Sequence, residues 1–217
     1  MPHVLSVNTG ERTESDHAPL GHTGIDKRPV DTPVHVSAPA EVGSGLAGDH
    51  ISNHRHHGGP DQAVYAYARE DLDDWAAELG RDLPPGSFGE NLTTVGVDLT
   101  NARIGERWRM GTALLQVTHP RVPCQTFAGK MGEPGWVKRF TRKALTGAYF
   151  RVLEPGVIAA GDPAVLVERP DHDVTIRLAF RALMLEPELL PSLLAAGEHL
   201  TDVVRDRVER RVASDPV

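Results

Sequence analysis

The spacing of apolar residues changes once along this 217-residue chain, near residue 173, and this change constrains the fold more than any other feature. Before it, short apolar runs are separated by turns rich in glycine and proline, which is typical of short β-strands. After it, apolar residues recur at helical spacing, with breaks at Pro187, Gly197 and Thr201 that predict three short helices. The sequence therefore predicts a domain of short strands over residues 1–173 and a three-helix extension over residues 174–217.

Short strands joined by tight turns favour a β-barrel. We therefore expect a mainly β (α+β) fold in which short helices lie around a barrel. One such helix is predicted over residues 69–79, where Leu72 and Trp75 share an apolar face. A hairpin is predicted to turn at residues 110–112, and its second strand leads into the stretch that ends at Cys124.

The charge and the apolar pattern of the chain argue against nucleic-acid binding and against a membrane location. A net charge of -7 and a pI near 5.9 argue against general nucleic-acid binding, which depends on a basic surface. No apolar run approaches the roughly 20 residues that a membrane-spanning helix needs, and the N-terminus lacks the features of a signal peptide. A single cysteine fits a reducing compartment. We therefore expect a cytoplasmic protein that binds neither nucleic acid nor membranes.

The only cysteine, Cys124, follows an unusual stretch that reads Val-Thr-His-Pro-Arg-Val-Pro-Cys. A lone cysteine is most often a small buried apolar residue. Here, Pro120 and Pro123 should end the preceding strand and stiffen the loop, while Arg121 and a short helix predicted over residues 125–130 favour the thiolate. Without a second cysteine, dithiol chemistry is excluded. A nucleophile, a persulfide carrier and a soft metal ligand all stay open.

Four histidines precede a Gly-Gly-Pro turn, at positions 50, 54, 56 and 57. Their spacing matches no familiar zinc pattern, and we expect His50, His54 and His56 to form a solvated cluster on a loop. His57 differs, because the two glycines that follow it allow a close approach to a ligand. Asp61, just after the turn, is suited to orienting an imidazole or binding the polar edge of a ligand.

Two further segments carry candidate binding residues. Glu90 and Asn91 follow a glycine and precede a short strand, a position that suits the rim of a site, although Asn91 is equally suited to bonding turn amides. A short helix after residue 135 carries Lys138, Arg139 and Arg142. This helix either presents a solvated basic face or holds a phosphate or another anion.

The segments Arg-His-His-Gly-Gly-Pro-Asp-Gln-Ala-Val at 55–64, Gly-Glu-Asn-Leu-Thr-Thr at 89–94 and Arg-Val-Pro-Cys at 121–124 resemble the MOSC family, named for the C-terminal domain of molybdenum-cofactor sulfurase. With the terminal helices, the chain is similar to the stand-alone bacterial subfamily that carries a 3-alpha extension. The resemblance implies a MOSC-type β-barrel in which Cys124 is the sulfur ligand of a molybdenum-pterin (molybdopterin) cofactor. It also implies a pocket lined by the residues His57, Asp61, Asn91 and Arg121.

The subfamily is similar to reductases of N-hydroxylated compounds, including base analogues, which receive electrons from separate redox proteins. The chain departs from relatives at Gln62 and Thr126, where a lysine or another residue is often found. MOSC domains are also described as pyridoxal-phosphate binders, but only Lys130 and Lys138 lie near the motif, and we disfavour that cofactor.

Our leading hypothesis is a molybdenum-dependent oxidoreductase. In it, Cys124 holds the metal, Arg121 and the basic helix with Lys138 and Arg139 hold the pterin phosphate, and His57 or Asp61 delivers protons. The first alternative is a sulfur carrier that uses a Cys124 persulfide. The second is a module that binds a purine-like ligand without turnover. For the terminal helices, three roles are open: docking on the barrel, binding an electron donor, or forming a homodimer.

Overall fold

The computed structural model describes residues 1–214, and it contains twelve strands, five α-helices and two 3₁₀ segments. The strands are β1 (His3–Thr9), β2 (Thr13–Glu14), β3 (His22–Thr23), β4 (Arg28–Pro29), β5 (Val34–Val36), β6 (Val64–Ala68), β7 (Leu92–Val95), β8 (Arg107–Met110), β9 (Ala113–Pro120), β10 (Ala148–Glu154), β11 (Gly156–Ile158) and β12 (Ala164–Glu168). The helices are α1 (Arg69–Leu79), α2 (Gln125–Met131), α3 (Trp136–Lys143), α4 (Ile176–Met184) and α5 (Asp202–Ser214), and the 3₁₀ segments are Pro60–Gln62 and Pro187–His199.

Eight strands form one mixed sheet in the order β12-β8-β9-β10-β6-β7-β1-β4, while β5 pairs with β11 and β2 pairs with β3. Only β6 and β7 pair in parallel among the described strands. The fold is therefore mixed α+β. The predicted hairpin is present, since β8 and β9 are joined at Gly111.

The predicted barrel does not close. Between β1 and the start of β12, the described residues form a single isolated bridge, His3 to Pro163. It is flanked by the bonds from Ala164 N to Pro2 O at 3.0 Å and from Val4 N to Asp162 O at 2.9 Å. Pro2 has no N–H with which to return a bond to Ala164, and the N–H of Asp162 bonds to Ala159 O at 3.2 Å instead of to Val4. The pairing therefore does not continue in either direction.

The sheet is covered on both faces, as β6 demonstrates. All five of its residues are buried: Val64, Ala66 and Ala68 belong to the main apolar core, whereas Tyr65 and Tyr67 belong to a second, aromatic core. Successive side chains of a strand point to opposite faces. The sheet therefore separates the two cores.

The aromatic core lies beneath α1, α2 and α3 and contains Trp75, Phe88, Phe127, Trp136 and Phe140. Their rings meet mostly edge-on or tilted, for example Phe88 and Phe127 at 5.1 Å and Trp75 and Trp136 at 4.7 Å. These are favourable arrangements for ring quadrupoles. The core fixes α2, the helix that begins directly after Cys124.

The C-terminal segments pack on the sheet. Ile176, Leu193, Val204 and Val208 share the main core with sheet residues such as Leu115. Of the three roles considered for these helices, docking on the sheet is confirmed. The domain boundary at residue 173 stays a prediction. Among the described helices, none combines the length and apolar character needed to cross a membrane.

Asp71, in the first turn of α1, gives a stability prediction. Burial, followed by the neighbouring Asp98 and Glu70, raises the pKa of this carboxyl to about 6, although Thr100 donates a hydrogen bond to it at 3.1 Å. Because the folded-state pKa lies above the unfolded value, the wild type loses stability as the pH rises from 4 to 6. We expect Asp71→Asn to increase the free energy of unfolding at pH 7.5 by about 1–2 kcal/mol. Urea unfolding at several pH values tests this: the gain should shrink below pH 6, and a gain independent of pH would contradict it.

Candidate functional site

A cavity of 510 Å³ lies at one end of the sheet. Its walls come from the loops at residues 18–25, 50–58 and 119–126, from the sheet residues Tyr65 and Tyr149, and from residues of α4 and α5. Cys124 lines it and is half-buried. The Cys124 carbonyl accepts a hydrogen bond from Ala128 N at 3.0 Å, so α2 begins at this residue, as the sequence predicted.

Arg121 is buried in the same wall, although its side chain is charged. Its guanidinium carbon lies 4.2 Å from the centre of the Phe127 ring and 4.9 Å from that of Tyr65, and its Nη1 donates to the carbonyl of Phe88. Burial disfavours the cation, but Tyr65, Tyr149 and Cys124 outweigh it and hold the pKa of Arg121 above its ordinary value. Its buried Nε has no hydrogen-bond partner among the described residues. A buried cation in the wall of a cavity is suited to an anionic ligand group.

Glu90 shapes the loop that holds Arg121. Its carboxylate is fully buried and accepts hydrogen bonds from Gly86 N at 2.6 Å, Phe88 N at 3.0 Å and Thr93 Oγ1 at 2.9 Å. Burial raises the pKa of Glu90. These bonds position the Phe88 carbonyl that Arg121 contacts. Glu90 therefore positions the backbone of the loop that Arg121 contacts. The sequence had placed Glu90 at the rim of the site instead.

Asn91 lines the cavity, but its amide is used by the protein. Its Oδ1 accepts from Tyr65 N at 3.1 Å, and its Nδ2 donates to Asp49 Oδ2 at 2.9 Å. Asp49 in turn accepts from Gly10 N at 2.9 Å and pairs with the buried Lys27. Asn91 therefore fixes the Lys27–Asp49 pair next to the cavity.

Lys27 lines the cavity and was missed by the sequence analysis. Burial lowers its pKa, and Asp49 opposes that effect. No local signal marks this pair, because its members lie 22 positions apart in two polar stretches of the chain. The cavity thus has two buried cations, Lys27 and Arg121.

His57 lines the cavity, as predicted. Burial, followed by the charge of Arg121, lowers its pKa to about 4. The imidazole is therefore neutral at neutral pH, which suits a hydrogen-bonding role better than proton donation.

The other three histidines behave differently from one another. His54 and His56 are exposed, as expected of a solvated loop, although His56 also contributes to the cavity lining. His50 lines the cavity as well and is half-buried. Its Nε2 lies 2.9 Å from Ser52 Oγ, which lies 3.0 Å from Nδ1 of His22. Within residues 1–214, no three His, Cys, Asp or Glu side chains converge in a way that would hold a metal ion.

Three predicted site residues lie away from the cavity. Asp61 is not part of its lining, because its carboxylate pairs with Arg151 at 2.7 Å. Arg139 pairs with Glu78 at 2.9 Å, and Lys138 is exposed. Trp136 and Phe140 bury the apolar face of the same helix, so its basic face points towards α1 instead of the cavity. The structure therefore does not bring Asp61, Lys138 and Arg139 together with Cys124.

Fold and site together define the class of protein. A sequence profile of the MOSC domain matches residues 53–165, which include His57, Arg121 and Cys124. The chain belongs to the MOSC family.

Individual relatives agree with this assignment. The chain is 37% identical over 180 residues to the uncharacterized protein YflK of Bacillus subtilis, covering 82% of this chain and 79% of YflK. A protein of Gibberella moniliformis named "Reductase" is 34% identical over 205 residues, which cover 89% of this chain and 34% of that longer protein. The crystal structure of YiiM from Geobacillus stearothermophilus superimposes with a TM-score of 0.79 at 30% identity and covers 98% of this chain and 100% of YiiM.

Proposed function

We propose that this protein is a molybdenum-cofactor-dependent reductase of N-hydroxylated compounds. The observation that carries the proposal is the position of Cys124, whose side chain is half-buried in a cavity that also holds two buried cations. MOSC domains are associated with molybdenum-cofactor binding, and one relative is named a reductase.

The residues present fit such a cofactor. A thiolate is a suitable ligand for a thiophilic metal, and 510 Å³ is within the range of cavities that hold small cofactors. The guanidinium of Arg121 and the ammonium of Lys27, which both line the cavity, would hold the pterin phosphate. They take the role that the sequence had given to Lys138 and Arg139. Pyridoxal phosphate fits less well, because Lys130 pairs with Asp26 at 2.9 Å and does not line the cavity.

The reaction is R–NH–OH + 2 e⁻ + 2 H⁺ → R–NH₂ + H₂O. When bound, the molybdenum centre supplies the two electrons that break the N–O bond. The neutral His57 accepts a hydrogen bond from the hydroxylamine and orients it. The linked groups of His50, Ser52 and His22 line the same cavity and would relay protons to the substrate, and a separate redox protein would supply the electrons.

A reconstituted assay tests the proposal. Protein from a host that makes the cofactor is compared with protein from a cofactor-deficient host, with reduced methyl viologen as electron donor and N-hydroxylated adenine and benzamidoxime as substrates. We expect amine formation in proportion to the molybdenum content. Equal activity in the two preparations, or no activity in fully loaded protein, would contradict the proposed function.

A further inference from the structure

The C-terminal helices form one wall of the cavity that holds Cys124. Four of their residues contribute to its lining: Leu183, Val203, Val204 and Arg207. All four lie outside the segment 53–165 that matches the MOSC profile. The C-terminal helices are therefore in a position to contact a ligand of this cavity.

The packing of α5 determines which of its side chains reach the mouth of the cavity. Val204 and Val208, one helical turn apart, are buried in the main core. Val203 and Arg207 are exposed and also one turn apart, so they share the adjacent face of the helix. Arg207 Nη2 donates a hydrogen bond to the carbonyl of Leu183 on α4 at 2.7 Å. This bond holds the guanidinium at the mouth of the cavity.

Arg207 keeps most of its donors available for a ligand. A guanidinium carries several N–H donors in a planar fork. Among the described residues, the carbonyl of Leu183 is the only hydrogen-bond partner of this side chain, and no carboxylate pairs with it. The nearby Arg210 differs, since its Nε donates to the Asp206 carbonyl at 3.1 Å and it does not line the cavity. Arg207 is therefore suited to binding a carboxylate or a phosphate through two parallel hydrogen bonds.

The charges that line the cavity have one sign. Lys27, Arg121 and Arg207 contribute to the lining, and no aspartate or glutamate of the described chain does so, although the whole chain has a net charge of -7. Asp49 compensates the charge of Lys27, whereas Arg121 and Arg207 form no salt bridge with any described residue. A cleft lined by charges of one sign concentrates ligands of the opposite sign and speeds their entry. The proposed function assigns Lys27 and Arg121 to the cofactor phosphate, which leaves Arg207 for the substrate.

We propose that Arg207 is a specificity-determining residue that binds an anionic group, a carboxylate or a phosphate, on the substrate. The preferred substrates are then N-hydroxylated compounds that carry a negative charge at the end opposite to the N–OH group. As a statement about the substrate, this inference rests on the proposed function; as a statement about anions entering the cavity, it does not. The C-terminal helices thus complete the binding site in addition to docking on the sheet.

Alkylation of Cys124 in full-length protein from a cofactor-deficient host tests the inference without turnover. This residue is the only cysteine of the chain and lines the cavity, so its rate of alkylation measures the access of a reagent to the site. Iodoacetate is the anionic probe, and iodoacetamide is the neutral control of similar size. Each reagent forms a new C–S bond at Cys124 and releases iodide. The ratio of the two rate constants removes any effect of a variant on the thiolate itself.

The measurement is made at pH 8, where ordinary histidines are uncharged. At low salt, we expect Arg207→Gln to lower the ratio of the iodoacetate rate constant to the iodoacetamide rate constant about threefold. The difference should disappear near about 1 M salt, where the Debye length is about 3 Å. Arg210→Gln is the matched control, because it removes the same charge from the same helix outside the cavity, and it should leave the ratio nearly unchanged. The same ratio in wild type and Arg207→Gln, or an equal fall in both variants, would overturn the inference.

Turnover separates this inference from the proposed function. In the loaded enzyme, benzamidoxime is compared with its para-carboxylated derivative. Arg207→Gln should lower the preference for the carboxylated compound, expressed as the ratio of the two kcat/KM values, about tenfold and mainly through KM. If loaded protein reduces neither compound while the alkylation ratio still depends on Arg207, the proposed function fails and the anion-binding role stands. If both compounds are reduced and the variant leaves the preference unchanged, the inference fails and the function stands.

Discussion

A Cys124→Ser variant, produced in a host that makes the cofactor, is expected to retain less than about a tenth of the molybdenum per chain found in the wild type, since a serine hydroxyl is a much poorer ligand than a thiolate for a thiophilic metal. Cys124 lines the cavity and is the only cysteine of the chain, so no second thiolate replaces it. Reductase activity should fall in proportion. Elemental analysis of the purified variant, together with the viologen-linked assay, measures both quantities.

The control for this experiment is Val122→Thr, a change at an exposed cavity residue two positions earlier. It should keep both molybdenum and activity, and thermal unfolding of each variant should match the wild type. Full molybdenum content in Cys124→Ser would contradict the proposed ligand. Activity retained after complete loss of the metal would contradict the molybdenum mechanism. If neither protein contains metal and mass spectrometry finds an added sulfur on Cys124, the persulfide carrier becomes the better explanation.

The part of the site that the sequence predicted is local in the chain. Arg121 and Cys124 are three residues apart, and the loop between them precedes a helix whose start is fixed by its own backbone bonds. His57 was identified from the glycines that follow it. Such features can be predicted from the sequence because the contacts that determine them are made within one short segment of the chain.

The residues that the sequence misplaced depend on contacts between distant segments. Arg139 looked like an anion-binding residue, but α3 turns its basic face towards Glu78 on α1 once Trp136 and Phe140 are buried. Asp61 faces Arg151, which lies on a strand 90 positions later. Periodicity predicts which face of a helix is apolar, but it does not predict which element lies opposite the polar face.

Closure of the sheet also depends on contacts between distant segments. The alternation in β1, β8, β9 and β12 predicts strands, and those strands are present. Closure depends instead on whether the two outermost partners can exchange hydrogen bonds. Pro2 cannot return a bond to Ala164, and the N–H of Asp162 is used by Ala159. These losses matter only because the two segments meet here, which is a tertiary contact.

The buried Lys27–Asp49 pair gives the largest stability prediction. Both side chains are almost completely buried, at 4% and 0% exposure. Asp49→Asn leaves the ammonium of Lys27 without its counter-charge, and breaking a buried pair in this way costs about 3–5 kcal/mol of unfolding free energy. Burial lowers the pKa of Lys27 and Asp49 raises it, so the loss of Asp49 lowers this pKa further in the variant. Between that lowered pKa and the higher unfolded value, the unfolded chain binds more protons, and the stability of the variant rises with pH. The deficit should therefore shrink as the pH is raised towards 10, which urea unfolding at pH 7 and pH 9.5 measures.

The double variant Lys27→Met/Asp49→Asn separates the charge from the hydrogen bonds. Asp49 also accepts from Gly10 N and Asn91 Nδ2, and asparagine keeps only part of that capacity. If the unpaired charge of Lys27 causes most of the loss in Asp49→Asn, the double variant should have a free energy of unfolding about 2 kcal/mol or more above that of Asp49→Asn alone. A double variant as unstable as the single one would assign the loss to the bonds with Gly10 and Asn91 instead. A double variant that is as stable as the wild type but binds less molybdenum would support a role for Lys27 in holding the cofactor phosphate. In that case the loss of molybdenum would not be a consequence of unfolding.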